Sequence, residues 1–192
     1  MDANVKAGAG EEWFDVVDAR DEVVGRERRA VVHARGLWHR AVHVLVFNPA
    51  GEVFLQKRSL TKDMSPGLWD SSCSGHLDAG ENYDAAAQRE LGEELGLRLP
   101  APPGRWFRVE ACHETGWEFC WVYRLEHAGP FVLHPEEIER GEWRSPAAVT
   151  AALARRPEDY CSAFRLIWSR GGHGPLGGRT LPALPRRSAT TT

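Results

Sequence analysis

Residues 75–97, GHLDAGENYDAAAQRELGEELGL, contain the feature of this chain that most restricts its fold, an amphipathic helix between two glycine signals. Six residues fall at helical spacings of three and four and predict a helix over residues 82–95; they are Ala86, Ala87, Glu90, Leu91, Glu94 and Leu95. Gly96 follows at once, and glycine commonly ends helices because it adopts a left-handed conformation without strain. The stretch therefore predicts a loop, one helix of defined length and a second loop.

Three glutamates lie on one face of this predicted helix. Glu90, Glu93 and Glu94 are spaced i, i+3 and i+4, so their carboxylates are close together. Like charges at these spacings destabilise a helix by roughly 0.2–0.5 kcal/mol per pair, and near its C-terminus they also oppose the helix dipole. A bound divalent cation reverses both effects, and Mg²⁺ suits a carboxylate cluster that must also hold substrate phosphates. The spacing is compatible with a magnesium site, but a solvated acidic face is the commoner interpretation of three glutamates on one helix.

Strands and two more helices are predicted around this helix. Alternating apolar and polar residues indicate strands at 13–17, 22–28, 39–48, 51–58, 104–114 and 116–126. Ser145 before Pro146 marks the start of a second helix, and residues 157–170 are expected to form a third. The first two strands flank DARD and are predicted to form an N-terminal β-hairpin. Strands and helices in this order predict an α/β sandwich.

Four aromatic residues alternate along the last of these strands, and they are Trp117, Phe119, Trp121 and Tyr123. Alternate residues of a strand share a face, so the four side chains are predicted to lie together. Such a stripe is typical of a core, and the wall of a substrate pocket is the alternative.

The composition bounds the number of domains. A chain of 192 residues with 42% hydrophobic residues suits one domain with a substantial core. The ends at 1–12 and 171–192 are rich in small, polar, glycine or proline residues and predict flexible tails. Between them we expect the hairpin with its connection at 13–36 and the main domain at 37–170.

Charge and sequence patterns exclude several classes of partner. The net charge of −3 gives no basic field, which argues against nucleic acid polymers and anionic membranes. No apolar run has the length of a membrane span, and the first residues lack the apolar core of a signal peptide, so we expect a cytoplasmic protein. The four cysteines include no CxxC pair, so neither a zinc knuckle nor a disulfide framework is indicated. Small molecules are the expected partners.

Residues 75–97 also fit the pattern Gly-x5-Glu-x7-Arg-Glu-Leu-x-Glu-Glu-x-Gly-Leu without a departure. The matching residues are Gly75, Glu81, Arg89, Glu90, Leu91, Glu93, Glu94, Gly96 and Leu97. This pattern is the signature of the Nudix hydrolases, so the chain resembles that superfamily. The resemblance implies an α/β/α sandwich with a mixed β-sheet, and hydrolysis of a nucleoside diphosphate linked to another moiety.

The resemblance further implies roles for residues of this stretch. Glu90, Glu93 and Glu94 are expected to ligate Mg²⁺ or Mn²⁺, the Gly75 carbonyl to add a backbone ligand, and Arg89 to orient Glu90. The chemistry agrees, because attack of water on a diphosphate requires neutralised charge on the phosphate oxygens and a nucleophile formed at neutral pH.

The resemblance does not assign the general base, because members of the family use either a glutamate of the signature or one in a later loop. The later candidates here lie in HPEEIERGEW and are Glu137, Glu139 and Glu142, because a carboxylate within reach of a metal-bound water is able to remove its proton. An acidic surface loop is the alternative interpretation for any one of them.

Outside this stretch the chain is similar to a branch that includes isopentenyl-diphosphate isomerases. HRAVHVLVFN, LQKRSLTKDMSPGLWD and SGH, at 39–48, 55–70 and 74–76, carry the similarity. The isomerases have a cysteine directly before Gly-His, together with metal-binding histidines, in place of an intact glutamate signature. Here Ser74 takes the place of that cysteine, and Cys73 lies one residue too early, on the opposite face of a strand.

Histidines and cations of this branch are candidate substrate contacts. His39 and His76 match isomerase metal-ligand positions, and His33 lies one residue off the expected spacing. Candidate phosphate contacts are the cations Arg40, Arg58 and Lys62. Because Lys57 and Arg58 are strand neighbours, only one of the two is expected to face the site.

These observations predict a hydrolase that depends on Mg²⁺ or Mn²⁺ and cleaves the diphosphate bond of a small phosphorylated substrate. An isopentenyl-diphosphate isomerase-like enzyme and a non-catalytic nucleotide-binding module on the same fold are the alternatives. The edge of the N-terminal hairpin is able to pair with a second subunit, so a homodimer stays open.

Overall fold

The computed structural model describes residues 12–171 of the chain. Its strands are β1 (Trp13–Val17), β2 (Val23–Arg28), β3 (His39–Phe47), β4 (Val53–Arg58), β5 (Trp69–Asp70), β6 (Cys73–His76), β7 (Gly104–Val109), β8 (Glu118–Glu126) and β9 (Ile138–Arg144). Its helices are α1 (Arg29–Arg35), α2 (Tyr83–Leu95), α3 (Pro146–Arg155) and α4 (Ser162–Gly171), with a short 3₁₀ turn at Pro157–Asp159. Apart from Glu12 and Gly171, the predicted tails at 1–12 and 171–192 lie outside the described residues. None of the described helices has the length and apolar character that crossing a membrane requires.

Within the described residues, seven strands form one mixed sheet. Five of them run in the order β5-β4-β3-β8-β7, while β6 also pairs with β3 and β9 with β4. The β3–β8 pair is parallel and the other pairs are antiparallel. Helix α2 packs on one face of the sheet, and α3 and α4 pack on the other, while β1 and β2 form a separate antiparallel hairpin. The predicted α/β/α sandwich with a mixed sheet and an N-terminal hairpin is confirmed.

Strand β3 is the centre of both hydrophobic cores. Its residues Val42 and Val44 face α2, where they pack in one cluster with Leu91. The intervening Leu45 faces α4 and shares the second cluster with Phe164. Burial of one such large apolar side chain contributes about 1.5–3 kcal/mol, which explains why β3 is apolar on both faces. This central position fixes β3 relative to both helical layers.

Helix α2 begins and ends with the residues that the sequence predicts. Asn82 is the N-cap, and its side-chain oxygen accepts a hydrogen bond of 3.0 Å from the backbone N–H of Ala85. Gly96 has a φ of 65° and ends the helix in the left-handed conformation. The glutamates of α2 therefore lie on a helix whose two ends are set by the capping residues Asn82 and Gly96.

Three local expectations differ from the structure. Residues 138–144 form β9 instead of a loop, because Trp143 and its neighbours pair with β4. The aromatic stripe begins at Phe119, since Trp117 has a φ of 69° and precedes β8. The last helix begins at Ser162, not at 157, because Tyr160 forms a β-bridge with Trp69. The connection at 29–35, which has no assigned element in the sequence analysis, forms α1.

Candidate functional site

A cleft of 1090 Å³ lies beside β3, β6 and α2. Its other walls come from the start of the hairpin, the loop after β4, the loop before β8 and the start of α4. Nine residues predicted from the sequence lie in its lining, and they are Arg58, Lys62, Gly75, His76, Arg89, Glu90, Glu93, Glu94 and Glu137. The fold thus collects residues from four separate parts of the chain around one cavity.

Arg89 connects the loop before α2 with the glutamates of α2. Its Nε and Nη2 donate to the two carboxylate oxygens of Glu81 at 2.9 and 2.8 Å. Its Nη1 donates to Glu90 at 2.6 Å and to Glu93 at 3.3 Å, while Nη2 also donates to the carbonyl of His76 at 2.9 Å. Arg89 therefore holds Glu90 in one orientation, which is the contact that its expected role requires.

Position 75 requires a glycine, because β6 passes very close to α2 there. A Cβ at this position would overlap the carboxylate of Glu90, so no larger residue fits without displacing that group. The close approach brings the backbone of β6 against the glutamate cluster. Glu90 is only 6% exposed and Glu94 only 2%, an unusual degree of burial for carboxylates. A cradle of buried oxygens next to a backbone strand fits a hard divalent cation such as Mg²⁺ or Mn²⁺.

Glu94 is the most deeply buried of the three glutamates. Its Oε2 accepts hydrogen bonds from the backbone N–H of Ser74 at 3.1 Å and from Nε2 of Gln56 at 3.0 Å. The pKa of Glu94 is raised to about 7, chiefly by burial, while the positive charge of Lys62 opposes the shift and the negative charge of Glu137 adds to it. The site therefore lacks the positive charge that would keep Glu94 ionised, and a bound cation supplies that charge.

A second group of possible metal ligands includes His76. One nitrogen of each of His33, His39 and His76 and one oxygen of Glu118 all lie within 4.8 Å of one another. His76 Nε2 lies 2.9 Å from Glu118 Oε1, and His39 Nε2 lies 3.5 Å from the same oxygen. Phe14 from the hairpin stacks on His76 with ring centroids 4.7 Å apart. We call these three histidines and Glu118 the His-Glu cluster.

The protonation of the His-Glu cluster is suited to metal binding. Burial lowers the pKa of His76 to about 4 and also lowers the pKa of His33, so both imidazoles are neutral at pH 7. Although burial alone would raise it, contacts with His76 and His39 hold the pKa of Glu118 well below its usual range. Within the described residues, the buried Nε2 atoms of His33 and His39 have no hydrogen-bond partner. Neutral imidazoles with one carboxylate fit a divalent transition metal.

Sequence reasoning misses Glu118 and Phe14. Glu118 lies beside His39 because β3 and β8 are parallel and place these two residues in register. No local pattern indicates a pairing between residues so distant in sequence. Phe14 is an apolar strand residue, and only the folded position of the hairpin brings it to the histidines.

The cationic wall of the cleft is formed by Arg58 and Lys62. Arg58 lines the cleft, whereas its neighbour Lys57 lies over the ring of Trp69 at 5.7 Å, so one of the two faces the site, as predicted. Lys62 forms an ion pair with Glu137. These two cations line the same cleft as the glutamates of α2, so the cleft carries side chains of both charges.

Several predicted site residues do not line this cleft. Arg40 is a neighbour of Ala41 on β3 and points to the other face, where its Nε donates to Asp21 at 2.6 Å. Glu139 lies on β9, is exposed, and pairs with Arg140 at 2.5 Å. His39 is buried within the His-Glu cluster and does not line the cleft itself. Of the three later candidates for the general base, Glu137 lines the cleft, whereas Glu139 and Glu142 lie on β9 and do not.

Ser74 and Cys73 point to opposite faces of β6, as predicted. Cys73 is buried in the cluster under α2, whereas Ser74 lines the cleft. The Ser74 hydroxyl donates to Oδ2 of Asp70 at 3.5 Å, which is the outer limit of a hydrogen bond. Ser74, the residue matched in sequence to the isomerase cysteine, therefore lies in the cleft.

Comparison with known proteins agrees with this architecture. The model of the NUDIX domain matches residues 37–164. An uncharacterized Nudix hydrolase of Yersinia pestis is 35% identical over 169 residues, which cover 86% of this chain and 91% of the relative. Isopentenyl-diphosphate Delta-isomerase 2 of Photorhabdus laumondii is 32% identical over 160 residues, which cover 82% of this chain and 90% of that protein.

A solved structure shows the same fold. The crystal structure of a protein of Deinococcus radiodurans matches with a TM-score of 0.69 and 31% identity, and the match covers 75% of this chain and 90% of that chain. The hairpin and α1 lie before residue 37, where the match to the domain model begins. Residues from this N-terminal part nevertheless line the cleft, and they are Glu12, Phe14 and Arg29.

Proposed function

The chain belongs to the Nudix hydrolase family, and from this premise we propose that it cleaves the diphosphate bond of a small nucleoside-diphosphate-linked or related substrate with the help of Mg²⁺ or Mn²⁺. The observation that carries the proposal is the arrangement of Glu90, Glu93 and Glu94 opposite Arg58 and Lys62 in one cleft. Carboxylates on one wall and cations on the other fit a metal-bound diphosphate between them.

The glutamates of α2 are the proposed holders of the catalytic metal. Gly75 leaves room for the Glu90 carboxylate, and Arg89 orients it through the 2.6 Å hydrogen bond. When bound, the metal supplies charge neutralisation at the phosphate oxygens and lowers the pKa of attacking water. The buried position of Glu94 supports this role, since its ionised form has a low energy only beside a cation.

The remaining steps are assigned to side chains of the cleft. Arg58 and Lys62 bind phosphate oxygens and hold the diphosphate beside the glutamates. Glu137 is the proposed proton acceptor for the attacking water, because it lies in the cleft, pairs with Lys62 and is close enough to affect Glu94 electrostatically. Arg40 and Glu139 have no part in this proposal.

The His-Glu cluster favours a second candidate, an isopentenyl-diphosphate isomerase-like activity. His39 and His76 occupy positions that match the isomerase metal ligands, and a relative named as an isomerase is 32% identical. Ser74 argues against this candidate, because a hydroxyl releases its proton far less readily than a thiol. The intact glutamate signature also supports hydrolysis over isomerisation. We therefore rank hydrolysis first.

The proposal is tested by turnover with a panel of nucleoside diphosphates, dinucleotides, nucleotide sugars and prenyl diphosphates. The protein is first stripped of metal and then supplied with Mg²⁺ or Mn²⁺, and the products are identified by mass. We expect cleavage of a diphosphate bond that requires added metal, and a loss of about 10²-fold or more in Glu93→Gln. Glu126→Gln, which changes an exposed glutamate at the end of β8, is the matched control and is expected to keep full turnover.

Other outcomes separate the alternatives. Double-bond migration with an intact diphosphate supports the isomerase, and tight binding without turnover supports a binding module. Full hydrolysis by Glu93→Gln at saturating Mg²⁺ contradicts the metal site.

A further inference from the structure

Asp70 is a buried carboxylate in the cleft that the proposed reaction does not use. It ends β5, is 3% exposed and lines the cleft beside Ser74. Its Oδ1 accepts hydrogen bonds from the backbone N–H of Ser71 at 2.8 Å and from the Ser71 hydroxyl at 3.2 Å. Because Ser71 holds Oδ1, the other oxygen, Oδ2, is directed toward Arg58, whose Nη1 lies 3.2 Å away.

A further contact fixes the orientation of this carboxylate. The Ser71 hydroxyl lies 2.6 Å from Nδ1 of His43, which is buried in the centre of β3. Burial lowers the pKa of His43, so the imidazole is neutral and adds no competing positive charge at pH 7. Through Ser71, Asp70 is thus connected to the central strand β3 as well as to Arg58.

Arg58 is held at two of its three guanidinium nitrogens. Nε donates to the carbonyl of Met64 at 3.1 Å, and Nη1 pairs with Asp70. Within residues 12–171, Nη2 has no protein partner, and the side chain lines the cleft. A guanidinium that is fixed along one edge presents its remaining donors in a defined direction, which favours the oxygen of a phosphate.

We propose that Asp70 is a positioning residue, which holds Arg58 so that Nη2 meets a phosphate oxygen of the substrate. This inference rests on the proposed function, because it concerns the diphosphate in the same cleft. A buried ion pair contributes little net stability compared with apolar residues, so a positioning role accounts for the pair better than stability does. Asp70 does not touch the substrate and acts only through Arg58.

The inference predicts a specific change in kinetics. Asp70→Asn keeps the size of the side chain and removes its charge, so Arg58 loses its fixed direction while the glutamates of α2 are unchanged. We expect KM for the diphosphate substrate to rise about 10-fold, with kcat within about 3-fold of the wild type. Arg58→Lys is expected to raise KM at least as much. The double variant is expected to be no worse than Arg58→Lys alone, because Asp70 acts through Arg58.

The control is a second Asp–Arg pair outside the cleft. Asp159 accepts from Nη2 of Arg156 at 3.0 Å on the exposed 3₁₀ turn, and Asp159→Asn is expected to leave KM unchanged. Additive effects of Asp70→Asn and Arg58→Lys contradict the inference. An unchanged KM in Asp70→Asn also contradicts it, whether or not kcat and stability fall.

A binding measurement separates this inference from the proposed function. Calorimetry with Mg²⁺ and imidodiphosphate, which resists hydrolysis, is expected to show about 10-fold weaker binding by Asp70→Asn. If no substrate is hydrolysed but this difference is found, the proposed hydrolysis fails and the role of Asp70 stands. If hydrolysis is found and both proteins bind equally, the role of Asp70 is wrong. If Asp70→Asn does not fold, Asp70→Glu, which moves the carboxylate by one methylene, is expected to weaken binding by at least 3-fold, and equal binding overturns the inference.

Discussion

Glu94→Gln is expected to make the metal-free protein more stable while it abolishes most of its activity. The reason is that Glu94 is 2% exposed and, without metal, has too little positive charge around it. Glutamine removes the charge and keeps an oxygen for the hydrogen bonds from Ser74 and Gln56. Stability and activity therefore change in opposite directions.

The size of the effect follows from the pKa of this one group. Burial raises the pKa of Glu94 to about 7 from an ordinary value of 4.5. One pKa unit corresponds to about 1.4 kcal/mol, so an ionised Glu94 costs the metal-free protein about 3 kcal/mol above pH 7. Some loss of hydrogen bonding in the variant reduces the gain, and we expect about 1–3 kcal/mol. For a chain of this size, each kcal/mol raises Tm by about 2–4 °C.

The sign of the pH dependence is determined by the direction of the pKa shift. The folded state has the higher pKa, so the favourable contribution of protonated Glu94 is fully present below about pH 4.5. That contribution is lost as the pH rises through about 7. The variant carries no such group, so its advantage is expected to be present at pH 8 and nearly absent at pH 5.

The assay is thermal unfolding of both proteins with a chelator at pH 5 and pH 8, followed by a Mg²⁺ titration at pH 8. Magnesium is expected to stabilise the wild type by mass action and to stabilise the variant much less. Hydrolysis by the variant is expected to fall about 10²-fold or more. A variant that is less stable than the wild type at pH 8 without metal, or an advantage that is equal at both pH values, refutes the reasoning.

Substitutions at three further positions test other parts of the site and the fold. Gly75→Ala is expected to displace the Glu90 carboxylate and to lower kcat/KM about 10²-fold, and normal turnover would show that the close approach is unnecessary. Ser74→Ala is expected to keep most hydrolytic activity, and Ser74→Cys is expected to gain no isomerisation of a prenyl diphosphate. Product mass and NMR follow both reactions. If the wild type moves the double bond and Ser74→Ala does not, the isomerase ranks above the hydrolase. Ser145→Ala removes the hydrogen bond to the N–H of Ala148 and is expected to cost about 1 kcal/mol in urea unfolding with unchanged kcat, whereas no loss of stability contradicts the capping role.

Local sequence patterns suffice to predict the elements that carry the proposed metal ligands. The start of α2 after Asn82, its end before Gly96 and the shared face of Glu90 and Glu94 all follow from short-range spacing. The opposite orientations of Cys73 and Ser74 follow from the period of a strand. These features depend on backbone geometry within a few residues, so no tertiary information is needed.

Contacts between distant strands are the part that the sequence does not reveal. The His-Glu cluster depends on the parallel register of β3 and β8, which places Glu118 beside His39. Pairing of β9 with β4 carries Glu139 away from the cleft, although its neighbour Glu137 remains there. The face of Arg40 follows from which side of β3 meets the cleft, and that depends on the packing of two helical layers. Such registers result from the whole fold.

The most direct test of the central claim is turnover in ¹⁸O-labelled water with Mg²⁺, followed by mass measurement of the products. Hydrolysis forms a bond between the water oxygen and phosphorus and breaks a bond of the diphosphate bridge. The account therefore predicts one ¹⁸O atom in one phosphate-containing product, a requirement for added metal, and loss of labelled product in Glu93→Gln. A converted substrate whose diphosphate stays intact and unlabelled would contradict it.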